Sequence, residues 1–373
     1  MKYAMAVLLA GGSALVLAAC SEPAPGGVVD RGQDEAPSTD MLPTPAVDPQ
    51  PLELPPVTPS ASPVARAIDQ AAWSAEVTTP QAKRDAMIRA QVLLARAHFS
   101  PGVIDGQDGG NMRNAVSAFE AANGLSVDGR MDDQVWAKLA EDAGPVVTDY
   151  TITAEDVAGP FRPVPEKYEE MAKLDQLGYA SPAEGLAEKF HMDEALLKAL
   201  NPGADFAVAG TKIVVAAPGA EKLNAAVTRV EVDKGRNQVR AYAGETLLAV
   251  YPATVGSSDL PTPSGEWAVR TVAAEPTYTY DPTRLNFGDK SVGKLTIKAG
   301  PNNPVGAVWI DLTKDTYGIH GTPDPRLVGK TASHGCVRLT NWDARQLSQA
   351  VSKETKVVFV GVEKTPAKAQ TKT

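Results

Sequence analysis

Hydrophobic positions change their period several times along the 373 residues, and each change predicts a different kind of structure. Ala4 to Ala19 form an apolar run of about sixteen residues behind Lys2, shorter than the ~20 that a bilayer-spanning helix needs. Residues 21–65 hold eleven prolines among small and acidic residues and show no apolar period, which predicts a solvated tether reaching to about residue 75. From Gln81 to Glu141 apolar residues recur at helical spacing: Met87, Val92, Leu93 and Leu94, then Val116 and Phe119, then Val135, Trp136 and Leu139. They predict a three-helix unit over 76–145. Its helices are separated by two related turns, Val103-Ile104-Asp105-Gly106 and Val127-Asp128-Gly129-Arg130, which look like an internal repeat.

Residues 148–220 read as strand, helix, helix, strand. Tyr150-Thr151-Ile152 starts the unit, and Ser181-Pro182-Ala183-Glu184 is a capping box with proline at the first helical position. A second helix runs from His191-Met192-Asp193-Glu194 to Leu200, and Thr211–Val215 closes the unit as a strand. His98 and His191 fall in these helical regions and are expected to be surface or capping residues rather than ligands.

Between 226 and 362 the period becomes two. Strands are predicted at Val227–Val232, Gln238–Ala243, Thr246–Ala253, Gly265–Val272, Leu295–Lys298, Val308–Leu312 and Lys356–Val360, with one helix over Asp343–Val351 capped by Thr340 or Asn341. The fold class expected is multidomain α+β, its C-terminal part a mainly antiparallel sandwich or barrel.

Net charge is −9, yet residues 226–360 carry 16 Lys and Arg against 13 Asp and Glu, so the acidic surplus lies N-terminal to them. Nothing here offers the basic surface that a nucleic acid requires. Only two cysteines are present, Cys20 and Cys336, so no disulfide framework is expected. Leu17-Ala18-Ala19-Cys20 resembles a bacterial lipobox. The resemblance implies that residues 1–20 are a signal cut before an acylated Cys20, and that the chain is anchored to a membrane in the cell envelope. Ser21 then implies the outer membrane, facing the periplasm, in a Gram-negative cell. An ordinary signal with a chance cysteine and an uncleaved membrane anchor are the alternatives.

Chemistry concentrates in His320-Gly321-Thr322-Pro323 and Ser333-His334-Gly335-Cys336-Val337-Arg338. A thiol becomes a strong nucleophile only when a base takes its proton. His334, two positions from Cys336, and His320, brought in by the fold, could each do so, and spacing alone does not choose between them.

Three family resemblances follow from these motifs. The 76–145 unit, with Gln91, Ala115-Val116 and Phe119 in register and Glu120 where Gln is common, is similar to the peptidoglycan-binding type 1 domain. The 148–220 unit, with its "ALNP" and "GTKIVV" segments, resembles a LysM carbohydrate-binding module, apart from a long insertion after Tyr150. "TPTPSGEWAV" at 261–270, "AGPNNPVGAVWIDL" at 299–312, "YGIHGT" at 317–322 and "SHGCVRLTN" at 333–341 resemble the L,D-transpeptidase catalytic domain of the YkuD type.

The last resemblance implies Cys336 as nucleophile, His320 as general base oriented by the Gly321 carbonyl, and His334 in support. It further implies that Ser333 and Gly335 shape the loop, that Ser333 also contacts substrate, and that the Gly335 and Cys336 amides act as oxyanion donors. Arg338 would bind a substrate carboxylate, and Trp309 and Tyr317 would line a substrate groove or belong to the core. Such a thiol enzyme needs no cofactor or metal. Peptidoglycan, through its tetrapeptide stems and glycan strands, is the expected partner, with a second stem or a protein amine as acceptor. Three other readings stand beside it: an L,D-carboxypeptidase using the same thiol, a zinc site of His320, His334 and Cys336, and a non-enzymatic wall tether. Residues 363–373 are expected to be a disordered tail.

Overall fold

Apolar residues at helical spacing fold residues 63–139 into four helices, one more than the sequence pattern predicts: α1 (Pro63–Gln70), α2 (Pro80–Arg96), α3 (Gly110–Ala122) and α4 (Asp133–Leu139). The structure, a computed structural model, describes residues 54–257, 261–283, 291–333 and 335–363. Cys20, most of the Pro-rich segment, His334 and the tail from residue 364 lie outside the described residues.

The tether does not extend to residue 75. Helix α1 buries Ala65 and Ile68 completely. Its Asp69 carboxylate accepts from the Val146 and Val147 amides at 2.7 and 3.2 Å, and the Thr58 amide donates to Thr148 Oγ1 at 3.1 Å. Pro63 hid this helix among the other prolines, although at the first helical turn its missing N–H costs nothing.

The internal repeat is visible in two side chains. Gln91 Oε1 accepts from the Asp105 and Gly106 amides at 3.1 and 2.8 Å, and Glu120 Oε2 accepts from the Asp128 and Gly129 amides at 3.0 and 2.9 Å. Glu120 thus does for the second turn what Gln91 does for the first.

The strand–helix–helix–strand unit forms as β1 (Val147–Thr151) paired antiparallel with β2 (Lys212–Ala216), enclosing α6 (Pro182–Lys189) and α7 (Glu194–Leu200). The insertion between β1 and α6 carries the short helix α5 (Tyr168–Met171). Two units were expected, but Ile68, Leu94 and Val116 share one continuous core with Tyr150, Leu197 and Val215. His98 and His191 cap the helices: both take positive φ (62° and 57°) after α2 and α6. The following amides, of Phe99 and Met192, close Schellman bonds of 2.9 and 2.8 Å to Leu94 and Ala187.

The C-terminal part is one eight-stranded sheet built from β3 (Arg229–Asp233), β4 (Gln238–Ala243), β5 (Thr246–Pro252), β6 (Gly265–Ala274), β9 (Val308–Leu312), β10 (Gly318–His320), β11 (Val337–Arg338) and β12 (Lys356–Val360). Their order across the sheet is β11-β10-β9-β6-β12-β3-β4-β5. The pairings are antiparallel except β10 with β11 and β12 with β3. The sheet curls into a barrel, because Thr254, just past β5, exchanges two backbone bonds with Arg338 of β11 at 3.0 and 2.9 Å. The strand expected at Leu295–Lys298 (β8, Leu295–Ile297) leaves the barrel and pairs with β7 (Tyr278–Tyr280) as a separate hairpin. Helix α8 (Asn341–Ala350) starts at Thr340, whose Oγ1 accepts from the Asp343 amide at 3.1 Å, so Thr340 rather than Asn341 is the cap.

Candidate active site

Strands β10 and β11 are parallel, with Ile319 opposite Val337 and His320 opposite Arg338. Side chains alternate across a sheet, and directly paired residues share a face. Ile319 and Val337 therefore enter the barrel core, while Gly318, His320, Arg338 and Cys336, two positions before Arg338, take the other face. On the far side of β10, His320 pairs with Trp309 of β9, and the two rings stack with centroids 5.4 Å apart. The same register thus brings Cys336 and His320, sixteen residues apart in sequence, to one face of the sheet.

His320 is fully buried, and its Nδ1 lies 2.7 Å from the Gly321 carbonyl. A carbonyl can only accept, so Nδ1 carries the proton and Nε2 is the basic nitrogen. Nε2 makes no hydrogen bond among the described residues. Burial pushes His320 down to about 4, against the raising effect of the Gly321 and Val305 backbone. Cys336 is 1% exposed, and burial pushes its thiol up to about 12, partly opposed by the Gly318 backbone. At neutral pH Cys336 is a thiol, its Sγ 3.9 Å from the Thr316 carbonyl oxygen, and His320 is a neutral imidazole.

A roof covers this face. Cys336 and Trp309 share an apolar cluster with Tyr278 and Tyr280 of β7 and with Met171 and Leu177 of the insertion after β1. Leu177 donates to the Ala299 carbonyl and accepts from the Asn302 amide, each at 2.9 Å, and the Tyr168 ring lies 4.9 Å from that of Tyr280. The insertion after β1 thus packs into the cluster that holds Cys336.

The loop before Cys336 is closed by Ser333, whose Oγ donates to the Cys336 carbonyl at 2.6 Å and accepts from the Gly335 amide at 3.0 Å. The Gly335 N–H, expected as an oxyanion donor, is thus engaged inside the loop, and Ser333 is buried with its hydroxyl taken up by it. Gly335 has φ +125°, and a Cβ there would stand 2.9 Å from the Tyr317 ring, so glycine lets Tyr317 pack against the loop before Cys336. Tyr317 is half-buried and titrates above its ordinary value, through burial first and then the nearby Cys336. Arg338 is 2% exposed, as deeply buried as Cys336 and on the same face of the sheet. Trp309 is buried as well and backs His320 instead of lining an open groove.

Asn341, read from sequence as no more than a possible cap, is a junction. Its Oδ1 accepts from the Ala307 and Thr322 amides at 3.0 and 3.1 Å, and its Nδ2 donates to Glu188 of α6 and to the Pro301 carbonyl.

Residues 227–359 match the family described as the L,D-transpeptidase catalytic domain, YkuD, and residues 83–139 match "Putative peptidoglycan binding domain". "Putative L,D-transpeptidase YkuD" of Bacillus licheniformis is 29% identical over 176 residues, covering 47% of this chain and 90% of its own length. "Putative L,D-transpeptidase YqjB" of Bacillus subtilis (strain 168) is 34% identical over 136 residues, 35% of this chain and 69% of its own. The crystal structure of an L,D-transpeptidase from Xylanimonas cellulosilytica aligns over 74% of this chain and 92% of that one, with 17% identity and a TM-score of 0.34. With the catalytic-domain match running from β3 into β12 and including both His320 of β10 and Cys336 just before β11, the chain belongs to the L,D-transpeptidase family.

Proposed function

We propose that Cys336 is the acylated nucleophile of a peptidoglycan L,D-transpeptidation and that His320 moves its proton. The observation that carries this reading is the β10–β11 register, which sets on one face a buried thiol and an imidazole whose Nε2 has no hydrogen-bond partner among the described residues. Nε2 accepts the thiol proton as Sγ attacks the amide carbonyl at the L-centre of diaminopimelate in a tetrapeptide stem. The C–N bond then breaks, the same proton passes to the departing D-Ala amine, and a thioester remains. An acceptor amine attacks the thioester, gives its proton to Nε2, and the thiol is restored as the L,D cross-link forms.

The shifts of the two groups support a neutral resting pair that becomes ionic only during attack. With the Gly335 amide engaged by Ser333, oxyanion stabilisation in this loop falls to the Cys336 amide. His334 belongs to this reading as a supporting group. The apolar roof of Met171, Leu177 and Tyr278 limits water at the thioester, which supports transfer to an amine over hydrolysis.

In this reading the N-terminal helices hold the enzyme on peptidoglycan, the β1–β2 unit is a LysM-like module, and acylated Cys20 tethers the chain to a membrane on the periplasmic side. The acceptor is a second stem or an amine on a protein. The test is product analysis with a purified disaccharide-tetrapeptide. Released D-Ala and a cross-linked dimer, both abolished in Cys336→Ala, are expected; tripeptide as the sole product would replace transfer by L,D-carboxypeptidation.

A further inference from the structure

The β1–β2 unit reaches the catalytic loop through one buried carboxylate. Glu188 of α6 accepts from Asn341 Nδ2 at 3.0 and 3.1 Å and from the Tyr179 hydroxyl at 3.0 Å. Asn341, so oriented, turns Oδ1 to the Thr322 and Ala307 amides. It sits so close to Gly321 that a Cβ on that residue would stand 2.0 Å from Oδ1. The Gly321 carbonyl in turn holds Nδ1 of His320. An ionised carboxylate can only accept, so it fixes which end of the Asn341 amide faces it. A flipped amide would set its NH2 against two backbone N–H groups and lose both bonds.

We propose that Glu188 is a positioning residue for the transfer reaction: it locks the Asn341 amide, and through it the Gly321–Thr322 backbone that aims His320, so that the β1–β2 unit is an integral part of the catalytic machinery. The inference rests on the reading of His320 as the base. Arg345 and Tyr179 also face Glu188, with Glu184 close by; burial dominates and raises the carboxyl to about 7, and the Arg345 charge is the largest opposing effect. Protonation would put an O–H donor among these donors, so kcat of the wild-type chain falls as the pH drops through about 7, well above the range in which His320 itself titrates.

The experiment compares the full-length wild type, Glu188→Gln, and the double variant Glu188→Gln with Asn341→Asp, by D-Ala release from disaccharide-tetrapeptide between pH 5 and 9. In the double variant the carboxylate introduced at position 341 can accept from the amide introduced at position 188 and from both backbone N–H groups, restoring the link between the two residues with donor and acceptor exchanged and giving up only the bond to the Pro301 carbonyl. Glu188→Gln is expected to lower kcat at least tenfold with KM within twofold, since loss of aim harms the chemical step. It should also lose the limb near pH 7, and Asn341→Asp should recover most of the rate. Wild-type kcat with the limb intact would overturn the proposal, as would a loss that the double variant leaves unrepaired although circular dichroism shows it folded. Should Glu188→Gln not fold, the wild-type limb and the double variant decide. A wild type that releases no D-Ala would refute the proposed function instead.

Discussion

Gly318→Ala tests the stacking that sets His320 in place. Gly318 lies under Trp309, and a Cβ there would stand 2.3 Å from Cζ2 and 2.4 Å from Cη2 of the indole. Carbon atoms in contact keep about 3.5–4.0 Å, so the ring would have to retreat by roughly 1.2–1.7 Å. No free direction exists, because the indole is stacked on His320 and packed in the cluster that holds Cys336. The backbone of Gly318 is outside the left-handed region, so alanine adds steric pressure alone. Overpacking of this kind costs about 1–3 kcal/mol. At about 2–4 °C per kcal/mol for a domain well above a hundred residues, that corresponds to a fall in Tm of roughly 2–12 °C. Displacing His320 by about 1 Å should lower kcat by on the order of a hundredfold. Differential scanning fluorimetry and D-Ala release read the two effects, and adding Trp309→Leu should return part of the lost Tm. A Gly318→Ala protein with wild-type Tm and wild-type turnover would refute the argument.

Ser333→Ala should destabilise the chain by about 1–3 kcal/mol, since it strands the buried Gly335 amide and Cys336 carbonyl; an unchanged urea midpoint would contradict this. With its thiol pushed up to about 12, Cys336 should be alkylated by iodoacetamide at a rate that climbs through pH 7 to 9 without levelling, whereas a plateau with a midpoint near 6 would mean a resting thiolate. Burial raises the Asp343 carboxyl to about 7, so its stabilising contribution is present in acid and lost as pH rises through that value. Asp343→Asn should therefore raise Tm at pH 8, and the gain should shrink on acidification. His320, pushed down to about 4, acts oppositely: its contribution is present above 6.5 and lost as pH falls towards 4, and His320→Gln should lessen the loss of Tm over that interval.

The motifs around His320 and Cys336 are legible in sequence because they join rare residue types to glycines at fixed spacing, and the long strands are legible from their alternation. Strands β10 and β11, which bring the two residues together, are not, since three and two residues are too few to show a period. Helix α1 was hidden by the prolines around it. The engagement of the Gly335 amide depends on a hydroxyl whose local partners no apolar pattern reports. Contacts across long separations are the least visible: Glu188 and Asn341 meet over 153 residues, and the insertion after β1 looks like a plain loop until Met171 and Leu177 are found in one apolar cluster with Cys336.

The most direct test of the account is intact-mass spectrometry of the protein with disaccharide-tetrapeptide, followed by peptide mapping. The account predicts a covalent adduct on Cys336 that has lost D-Ala, absent in Cys336→Ala and greatly slowed in His320→Ala. An unmodified Cys336 under conditions where the substrate is consumed, or an adduct that forms equally fast without His320, would contradict it.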